Sequence, residues 1–332
     1  MVELEINLEE AKKFLKEKKA ETAIVQIPEG LKHKTKEILE ELTKECENVF
    51  MKMDPCYGAC DLPLHDMKVL NADCVIHIGH SPIHKTEKIL YLPLRYKLTE
   101  KELEENTEIL VKELKKNNIN DVSLVTNAQY ISYLEKLTQK LEKNNIKAKI
   151  NKGTSRLSTK GQVLGCNYTT IDNNAQAIVY FGDGYFHPIG IIFDTDKKVY
   201  ALNPLTKKIE ELSNKKDKLI RKRYAAIAKA KEAKSFGIIV SIKTGQRQKE
   251  KAIELKKQIE KSGKKAYLFE VDFVNENYFT GINVDCLVNT ACNRIVIDDA
   301  ENWKTLIINP TECLIAIGAK KWEEWQPDEF MH

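Results

Sequence analysis

TAIVQIP, residues 22–28, is a short apolar run, and the charged, helix-periodic stretch EGLKHKTKEILEELTKE, residues 29–45, follows it directly. Two more apolar runs come later, CVIHIG at residues 74–79 and ILYLPL at residues 89–94. Short apolar runs that alternate with amphipathic helices are typical of parallel strands joined by crossover helices. Residues 22–94 therefore predict one α/β unit.

The same pattern starts again at Asp121 with DVSLVTN and at Phe236 with FGIIVSI. In the second unit we expect two further strands, AIVYF at residues 177–181 and IGIIF at residues 189–193. In the third unit we expect a strand at DCLVN, residues 285–289. The repeat lies in the pattern of apolar runs and helices, and not in residue identities.

The fold that these units predict is α/β, with three similar domains that each contain a small parallel sheet and flanking helices. A chain of 332 residues is long enough for two or three domains. We place the domains at residues 1–100, 101–213 and 214–332. The first domain carries Cys60, the second carries Cys166 and the third carries Cys292.

The third domain opens with a strongly basic segment, residues 214–234. One interpretation is a face that binds an acidic partner. The other, which we favour, is a solvated linking helix with one face packed inward. The residues expected on that inward face are Leu219, Ile220, Tyr224 and Ile227.

The overall charge is mild, with 53 Lys and Arg against 49 Asp and Glu, and the two signs are interspersed. This balance argues against nucleic acid as the main partner, because nucleic-acid-binding proteins concentrate basic residues on one face. No apolar segment is long enough to span a bilayer, and residues 1–19 lack the apolar core of a signal peptide. We therefore expect a cytoplasmic protein in which the eight cysteines form no disulfides.

Three cysteines, Cys60, Cys166 and Cys292, follow directly after Ala or Gly in loops beside predicted strands or helices. Small neighbours allow the backbone to approach a bulky inorganic group, and ligand sites form beyond the carboxyl ends of parallel strands. Their wide separation is unlike the CxxC pairs of zinc ribbons. Cys56 forms a lone CxxxC motif with Cys60, so the sequence spacing alone leaves Cys56 open as an alternative metal ligand. An iron–sulfur site and buried structural thiols both stay open at this point.

Three histidines, His77, His80 and His84, lie close together and suggest zinc, but a glycine and a proline between them break any helix that would align them. His77 alternates with apolar residues and is expected in the core. His80 ends that strand, and we place it near the binding pocket. His187 precedes a proline at a predicted strand entry, where a structural role is expected.

Eight segments, taken in order, resemble the archaeal diphthamide synthase subunit, 2-(3-amino-3-carboxypropyl)histidine synthase, a non-canonical radical S-adenosylmethionine enzyme. They cover all three predicted domains, and the combination is specific although no single segment is. One departure is Asn293, where the family pattern usually has proline after the third cysteine. The segments are QIPEGL (26–31), YGACD (57–61), HIGHSP (77–82), LGCN (164–167), FGDGYFHPIG (181–190), RKRYAAI (221–227), SIKTGQ (241–246) and NTACNRIVIDD (289–299).

The resemblance implies three α/β domains around a central 4Fe–4S cluster, in a homodimer. It implies that Cys60, Cys166 and Cys292 are the cluster ligands and that Cys56 is structural. From the predicted elements, Cys60 and Cys166 follow the second strand of their domains, which are a short run that ends at Met53 and the run at residues 148–150. Cys292 follows the third strand of its domain, residues 285–289, because a second strand is expected at residues 266–271. The triangle of ligands is therefore expected to come from positions that are not equivalent.

The implied reaction transfers the 3-amino-3-carboxypropyl group of S-adenosylmethionine to C2 of a histidine of translation elongation factor 2, the first step of diphthamide synthesis, with an electron donor as a further partner. No catalytic side chain is predicted. Arg294 is the candidate for gripping the substrate carboxylate, with an ion-paired arginine as the alternative. The full set of candidate cofactor-binding residues is Arg294, Gln246, Gly182, Asp183, Gly184 and His80.

Two other functions compete with this one. A quinolinate synthase-like enzyme also has three α/β domains around a cluster with three cysteine ligands, but it does not use S-adenosylmethionine. A non-enzymatic binding protein with buried thiols would hold no iron. Release of methylthioadenosine would distinguish the proposed transferase from a quinolinate synthase-like enzyme. The iron content of the protein would distinguish it from a binding protein with buried thiols.

Overall fold

The first domain is built on four parallel strands in the order β3-β2-β4-β5. The computed structural model describes residues 4–84, 86–154 and 156–328. A short antiparallel pair, β1 with β6, forms a separate two-stranded sheet. Its elements are β1 Leu4–Glu5, α1 Leu8–Lys18, β2 Thr22–Gln26, α2 Thr35–Leu42, β3 Asn48–Lys52, α3 Leu64–Val69, β4 Cys74–Ile78, β5 Ile89–Leu92 and β6 Arg95–Tyr96.

The second domain has a five-stranded sheet in the order β11-β10-β9-β7-β8, parallel except for the edge strand β11. Leu110 and Leu137, one from each of two helices, are fully buried against this sheet. Its elements are α4 Glu100–Lys116, β7 Asp121–Thr126, α5 Leu134–Lys143, β8 Lys147–Lys149, β9 Ala177–Phe181, α6 Phe186–Asp194, β10 Lys198–Asn203 and β11 Lys208–Glu211.

The expected strand at residues 189–193 is wrong, because these residues belong to helix α6. A buried apolar run of this length is compatible with a strand or with a buried helix, and periodicity alone does not separate the two. Pro188 lies in the first turn of α6, where the missing N–H has no intrahelical partner to lose. The strand that follows in the sheet is β10.

The third domain has four parallel strands in the order β13-β12-β14-β15. The prediction of three α/β domains with parallel-dominated sheets is confirmed, whereas the boundaries that we placed between them stay a prediction. Its elements are α7 Lys216–Lys231, β12 Ser235–Ser241, α8 Lys249–Lys261, β13 Lys265–Val271, β14 Cys286–Asn289, α9 Arg294–Asp298, β15 Leu306–Ile308 and α10 Pro310–Ala316.

Helix α7 links the second and third domains, and part of its predicted inward face is correct. Ile227 is buried, and Leu219 and Ile220 pack against the second domain. Tyr224 is wrong, since its side chain is 54% exposed, with its ring packed edge to face with the Trp322 ring. The side chain that enters the core instead is Arg223, which forms a buried ion pair with Glu312 at 2.7 Å. Within the described residues, no helix has the length and apolar character needed to cross a membrane.

Candidate functional site

A cavity of about 520 Å³ lies where the three domains meet, and Cys60, Cys166 and Cys292 all line it. Cys60 follows β3 and Cys166 follows β8, and each of these is an edge strand and, in chain order, the second strand of the main sheet of its domain. Cys292 follows β14, the third strand of its domain, which lies inside its sheet. The prediction that the three thiols come from non-equivalent positions is confirmed.

The three thiols share one electrostatic environment. Burial raises the pKa of Cys166 to about 12, and the nearby Cys292 thiolate adds to the effect. Burial likewise raises the pKa of Cys292 to about 11, with a contribution from Cys60. Burial also raises the pKa of Cys60, and a hydrogen bond from Gln246 lowers it in part. Each thiolate is thus close enough to disfavour ionisation of another, unless a cation joins them.

The spacing of these thiols separates a single ion from a larger group. Among the described residues, the one set of three possible ligand atoms within 4.8 Å of one another is Cys56, His77 and His80. The three cavity cysteines are therefore too widely spaced to share one ion. A multi-iron cluster binds each thiolate through a different iron, so a wider triangle of soft sulfur ligands fits such a group.

The Cys60 loop is held by the segment that follows β12. The N–H of Gly245 donates to the carbonyl of Cys60 at 2.8 Å. The side-chain amide of Gln246 donates to the Cys60 sulfur at 3.3 Å, so the predicted residue does lie at the site. Next to them, Lys243 pairs with Asp61, and the two side chains are only 8% and 9% exposed.

Cys56 lies four residues before Cys60 and has a different environment. It is 1% exposed, and its thiol faces the carbonyl of Gly58 at 3.8 Å. Burial raises its pKa to about 12. It is not among the residues that line the cavity. This placement supports the structural role expected for Cys56.

Arg294 lines the cavity, but its guanidinium already has partners. Asp298 accepts two hydrogen bonds from it, at 3.0 and 2.7 Å, and the carbonyl of Phe186 accepts a third. The guanidinium also lies 4.3 Å from the centre of the Phe186 ring. The geometry therefore favours the alternative that Arg294 is an ion-paired arginine. Bidentate binding of a substrate carboxylate would require Arg294 to release its hydrogen bonds to Asp298.

The Gly182, Asp183 and Gly184 turn lies beside the cavity and not on its wall. Among the described residues, none of the three belongs to the lining. Asp183 accepts a hydrogen bond from Asn127 at 3.2 Å, and Asn127 is the residue that reaches the cavity. Gly184 is exposed, with a φ of +68° that suits a turn. These contacts are those of a plain turn and place the three residues outside the cavity lining.

The family model described as putative diphthamide synthesis protein matches residues 27–326, which is most of the chain. The chain belongs to this diphthamide synthesis family. It is 34% identical to the 2-(3-amino-3-carboxypropyl)histidine synthase of Pyrococcus horikoshii, over 98% of this chain and 94% of that protein. It is 28% identical to the enzyme of the same name from Methanocaldococcus jannaschii, over 92% and 88% of the two chains.

The fold agrees with a solved structure from the same family. The crystal structure of Dph2 from Pyrococcus horikoshii with a 4Fe–4S cluster matches with a TM-score of 0.90 and 33% sequence identity. The match covers 100% of this chain and 95% of that one. The resemblance inferred from the eight sequence segments is therefore confirmed at the level of the family and of the fold.

Three cavity residues of this diphthamide synthesis protein were missed as site residues. Lys243 was visible within SIKTGQ, but its pairing with Asp61 needed the tertiary structure. Arg156 donates to the carbonyl of Gly245 at 3.2 Å and lies in a loop with no periodic signal. His187 lies at the start of α6, its ring stacked on Tyr180 with centroids 6.1 Å apart, and not at a strand entry.

Proposed function

We propose that this protein is a 2-(3-amino-3-carboxypropyl)histidine synthase. It transfers the 3-amino-3-carboxypropyl group of S-adenosylmethionine to C2 of a histidine of translation elongation factor 2, the first step of diphthamide biosynthesis. The observation that carries the proposal is the meeting of three cysteines, one from each domain, on one cavity. The family membership supports the same reaction.

In this proposal Cys60, Cys166 and Cys292 hold a 4Fe–4S cluster as thiolates. Iron lowers the pKa of its thiol ligands and so reverses the effect of burial, with release of protons on binding. Three ligands leave one iron open, and the bound cluster supplies the electron that cleaves the sulfonium bond. The rest of the chain binds and orients the substrate and keeps water out.

The side chains around the cysteines have distinct tasks in this proposal. Gln246 donates to the Cys60 sulfur and so stabilises its thiolate form. Lys243 lines the cavity and supplies positive charge near the substrate carboxylate, balanced by Asp61. Arg294 and His80 also line the cavity. The turn at residues 182–184 positions Asn127 through the hydrogen bond that Asp183 accepts from it.

The partners that we propose are the elongation factor, an electron donor and a second copy of this chain in a homodimer. The proposed location is the cytoplasm, where the translation factor is found. The basic helix α7 is one surface on which docking of the elongation factor can be tested by charge reversal, because its Lys218 and Lys222 side chains face solvent.

The deciding experiment is an anaerobic assay with the reconstituted protein, a reductant, S-adenosylmethionine and elongation factor 2. We expect release of methylthioadenosine and a factor heavier by one 3-amino-3-carboxypropyl group on a single histidine. An iron-loaded protein that releases no methylthioadenosine contradicts the proposal and favours a quinolinate synthase-like reaction. A protein that binds no iron after reconstitution favours the binding protein with buried thiols.

A further inference from the structure

A chain of hydrogen bonds runs from the backbone beside Cys60 to the cavity wall. The side-chain amide nitrogen of Gln26 donates to the carbonyl of Asp61 at 2.7 Å. The amide oxygen of Gln26 lies 2.9 Å from Nδ1 of His77. Nε2 of His77 lies 3.0 Å from Nδ1 of His80, and His80 lines the cavity.

This chain determines where the protons lie on both imidazole rings. An amide oxygen only accepts hydrogen bonds, so Nδ1 of His77 must carry a proton. In the neutral ring Nε2 of His77 is then an acceptor, and Nδ1 of His80 must donate to it. The remaining nitrogen, Nε2 of His80, is left with a free lone pair.

The surroundings keep both rings neutral. His77 is fully buried, and burial lowers its pKa to about 3 and that of His80 to about 4. The titratable groups that face the pair are the Tyr91 ring, 5.5 Å from His77 edge to face, the Cys56 thiol and His187. No carboxylate among the described residues is hydrogen-bonded to either histidine to favour a cation.

We propose that Nε2 of His80 accepts the proton that leaves C2 of the substrate histidine ring, with His77 and Gln26 as positioning residues. The inference rests on the proposed function. A bond forms between the 3-amino-3-carboxypropyl carbon and C2, and the adduct then loses one electron and the C2 proton to restore the aromatic ring. The electron returns to the oxidised iron–sulfur group, and the proton goes to Nε2 of His80, where the resulting charge is shared with His77 through the Nδ1 hydrogen bond.

A metal ion is the competing occupant of this histidine pair, because Cys56 lies within reach of both rings. Two contacts argue against it. The Cys56 thiol is directed at the carbonyl of Gly58, and the two facing nitrogens of His77 and His80 already share one proton at 3.0 Å. We therefore expect no zinc in the purified protein at this position.

The main test is the variant His80→Asn, whose amide can still donate to His77 but has no basic nitrogen at the Nε2 position. Single-turnover reactions measure methylthioadenosine and modified elongation factor together. We expect methylthioadenosine still to be released, while the modified factor formed per methylthioadenosine falls about 100-fold. Added imidazole should restore part of this ratio in His80→Ala. The matched control is His84→Asn, an exposed histidine outside the cavity lining, which should leave the ratio unchanged.

The outcomes separate this inference from the proposed function. An unchanged ratio in His80→Asn overturns the proton-acceptor role, and so does a loss of methylthioadenosine release, which would assign His80 to cleavage of S-adenosylmethionine. Wild-type protein that releases no methylthioadenosine overturns the proposed function itself. One equivalent of zinc that is lost in Cys56→Ser shows a metal site and also overturns the inference.

A second measurement needs neither turnover nor a variant. Long-range nitrogen–proton NMR on protein labelled with ¹⁵N-histidine distinguishes the two neutral tautomers of each ring, and it can be done before the cluster is loaded. We expect His77 and His80 both protonated at Nδ1, with Nε2 of His80 unprotonated. The opposite tautomer of His80 contradicts the hydrogen-bond chain and with it the proposal.

Discussion

The loop that carries Cys60 takes most of its contacts from another domain, with one further hydrogen bond from Gln26 of its own domain. The loop that carries Cys292 is instead held mainly by asparagine side chains of its own domain, with Arg294 as its contact to the second domain. Cys60 and its neighbour Asp61 receive three contacts from the segment after β12, through Lys243, Gly245 and Gln246. These contacts join residues that are far apart in the chain and belong to the first and third domains. The position of Cys60 therefore depends on how these two domains dock.

The Cys292 loop has an internal asparagine network instead. Asn289 donates to the carbonyl of Cys292 at 2.8 Å, and Asn309 donates to the carbonyl of Asn293 at 3.1 Å. Asn293, at the position where the resemblance led us to expect proline, donates to the carbonyl of Asp328. The side-chain contacts of Asn293 thus tie down a loop that a proline would have made rigid through its ring.

The difference indicates that mutations at a domain interface displace some cysteine ligands more easily than others. Changes at the interface between the first and third domains should disturb Cys60 first and leave Cys292 in place. The predictions below test this difference, from complete loss of the cluster to a small shift in its potential.

The largest effect is expected from the cysteines themselves. Cys60→Ala, Cys166→Ala and Cys292→Ala should each remove the cluster from the isolated protein and abolish transfer, because two thiolates are left where three are required. Iron content, visible absorbance and the mass of the elongation factor measure this. Cys56→Ala and Cys313→Ala are the matched controls, since both thiols are buried outside the cavity. Full transfer by any of the first three variants would contradict the ligand assignment.

The next effect is expected from Lys243→Met, which leaves the Asp61 carboxylate buried without its partner. Breaking a buried ion pair in this way typically destabilises a protein by about 3–5 kcal/mol. We expect a clear drop in the free energy of unfolding and loss of cluster retention. The control is Lys222→Met, which removes an exposed ion pair between Lys222 and Glu301 within the third domain. This change should have little effect on stability or on cluster retention.

The loss in Lys243→Met should depend on pH in a defined direction. Burial raises the pKa of Asp61, and Lys243 offsets part of that rise. The folded protein therefore holds the Asp61 proton more tightly than the unfolded chain, so stability is lost as the pH rises through the carboxyl range. Removing Lys243 enlarges this loss. Unfolding curves should nearly coincide with the wild type at acid pH and separate towards neutral pH; a constant difference would contradict the mechanism.

An intermediate effect is expected from Gly245→Ala. A Cβ atom on Gly245 would lie 2.6 Å from Cα and 2.7 Å from Cβ of Cys60, so the Cys60 loop must move. Overpacking of this kind typically costs about 1–3 kcal/mol. We expect a lower midpoint of unfolding and faster loss of iron to a chelator. Gly30→Ala is the control, because a Cβ there meets no atom within 4 Å, and an equal loss in both variants would refute the close-contact argument.

Much of this arrangement could be predicted from the sequence. Runs such as TAIVQIP followed by amphipathic helices indicate parallel units, and the carboxyl ends of parallel strands form a common edge where loop cysteines can meet. Cys60, Cys166 and Cys292 were found for this reason together with the resemblance. Helix α6 was missed because its apolar residues 189–193 have no polar face that would distinguish a buried helix from a strand.

The contacts of the candidate site were less predictable. Arg294 and Asp298 are four residues apart, a spacing that allows pairing on one helix face, and this signal was available in the sequence. The approach of Lys243 to Asp61, or of Arg156 to Gly245, joins different domains and has no local signal. The role of Gln246 at Cys60 is of the same kind, although its segment was recognised.

The smallest effect is expected from Gln246→Leu, which removes the hydrogen bond to the Cys60 sulfur. Reduction adds negative charge to the sulfur ligands, so a donor favours the reduced form, and its loss should lower the reduction potential. A donor that binds the reduced form about 1 kcal/mol more strongly than the oxidised form shifts the potential by roughly 40 mV for one electron. Spectroelectrochemistry on the loaded protein measures the shift, with Gln248→Leu as the control, because Gln248 lies outside the cavity lining. A lowered potential in the first variant alone would show that the third domain tunes the ligand of the first; equal potentials in both would mean that this contact only positions the loop.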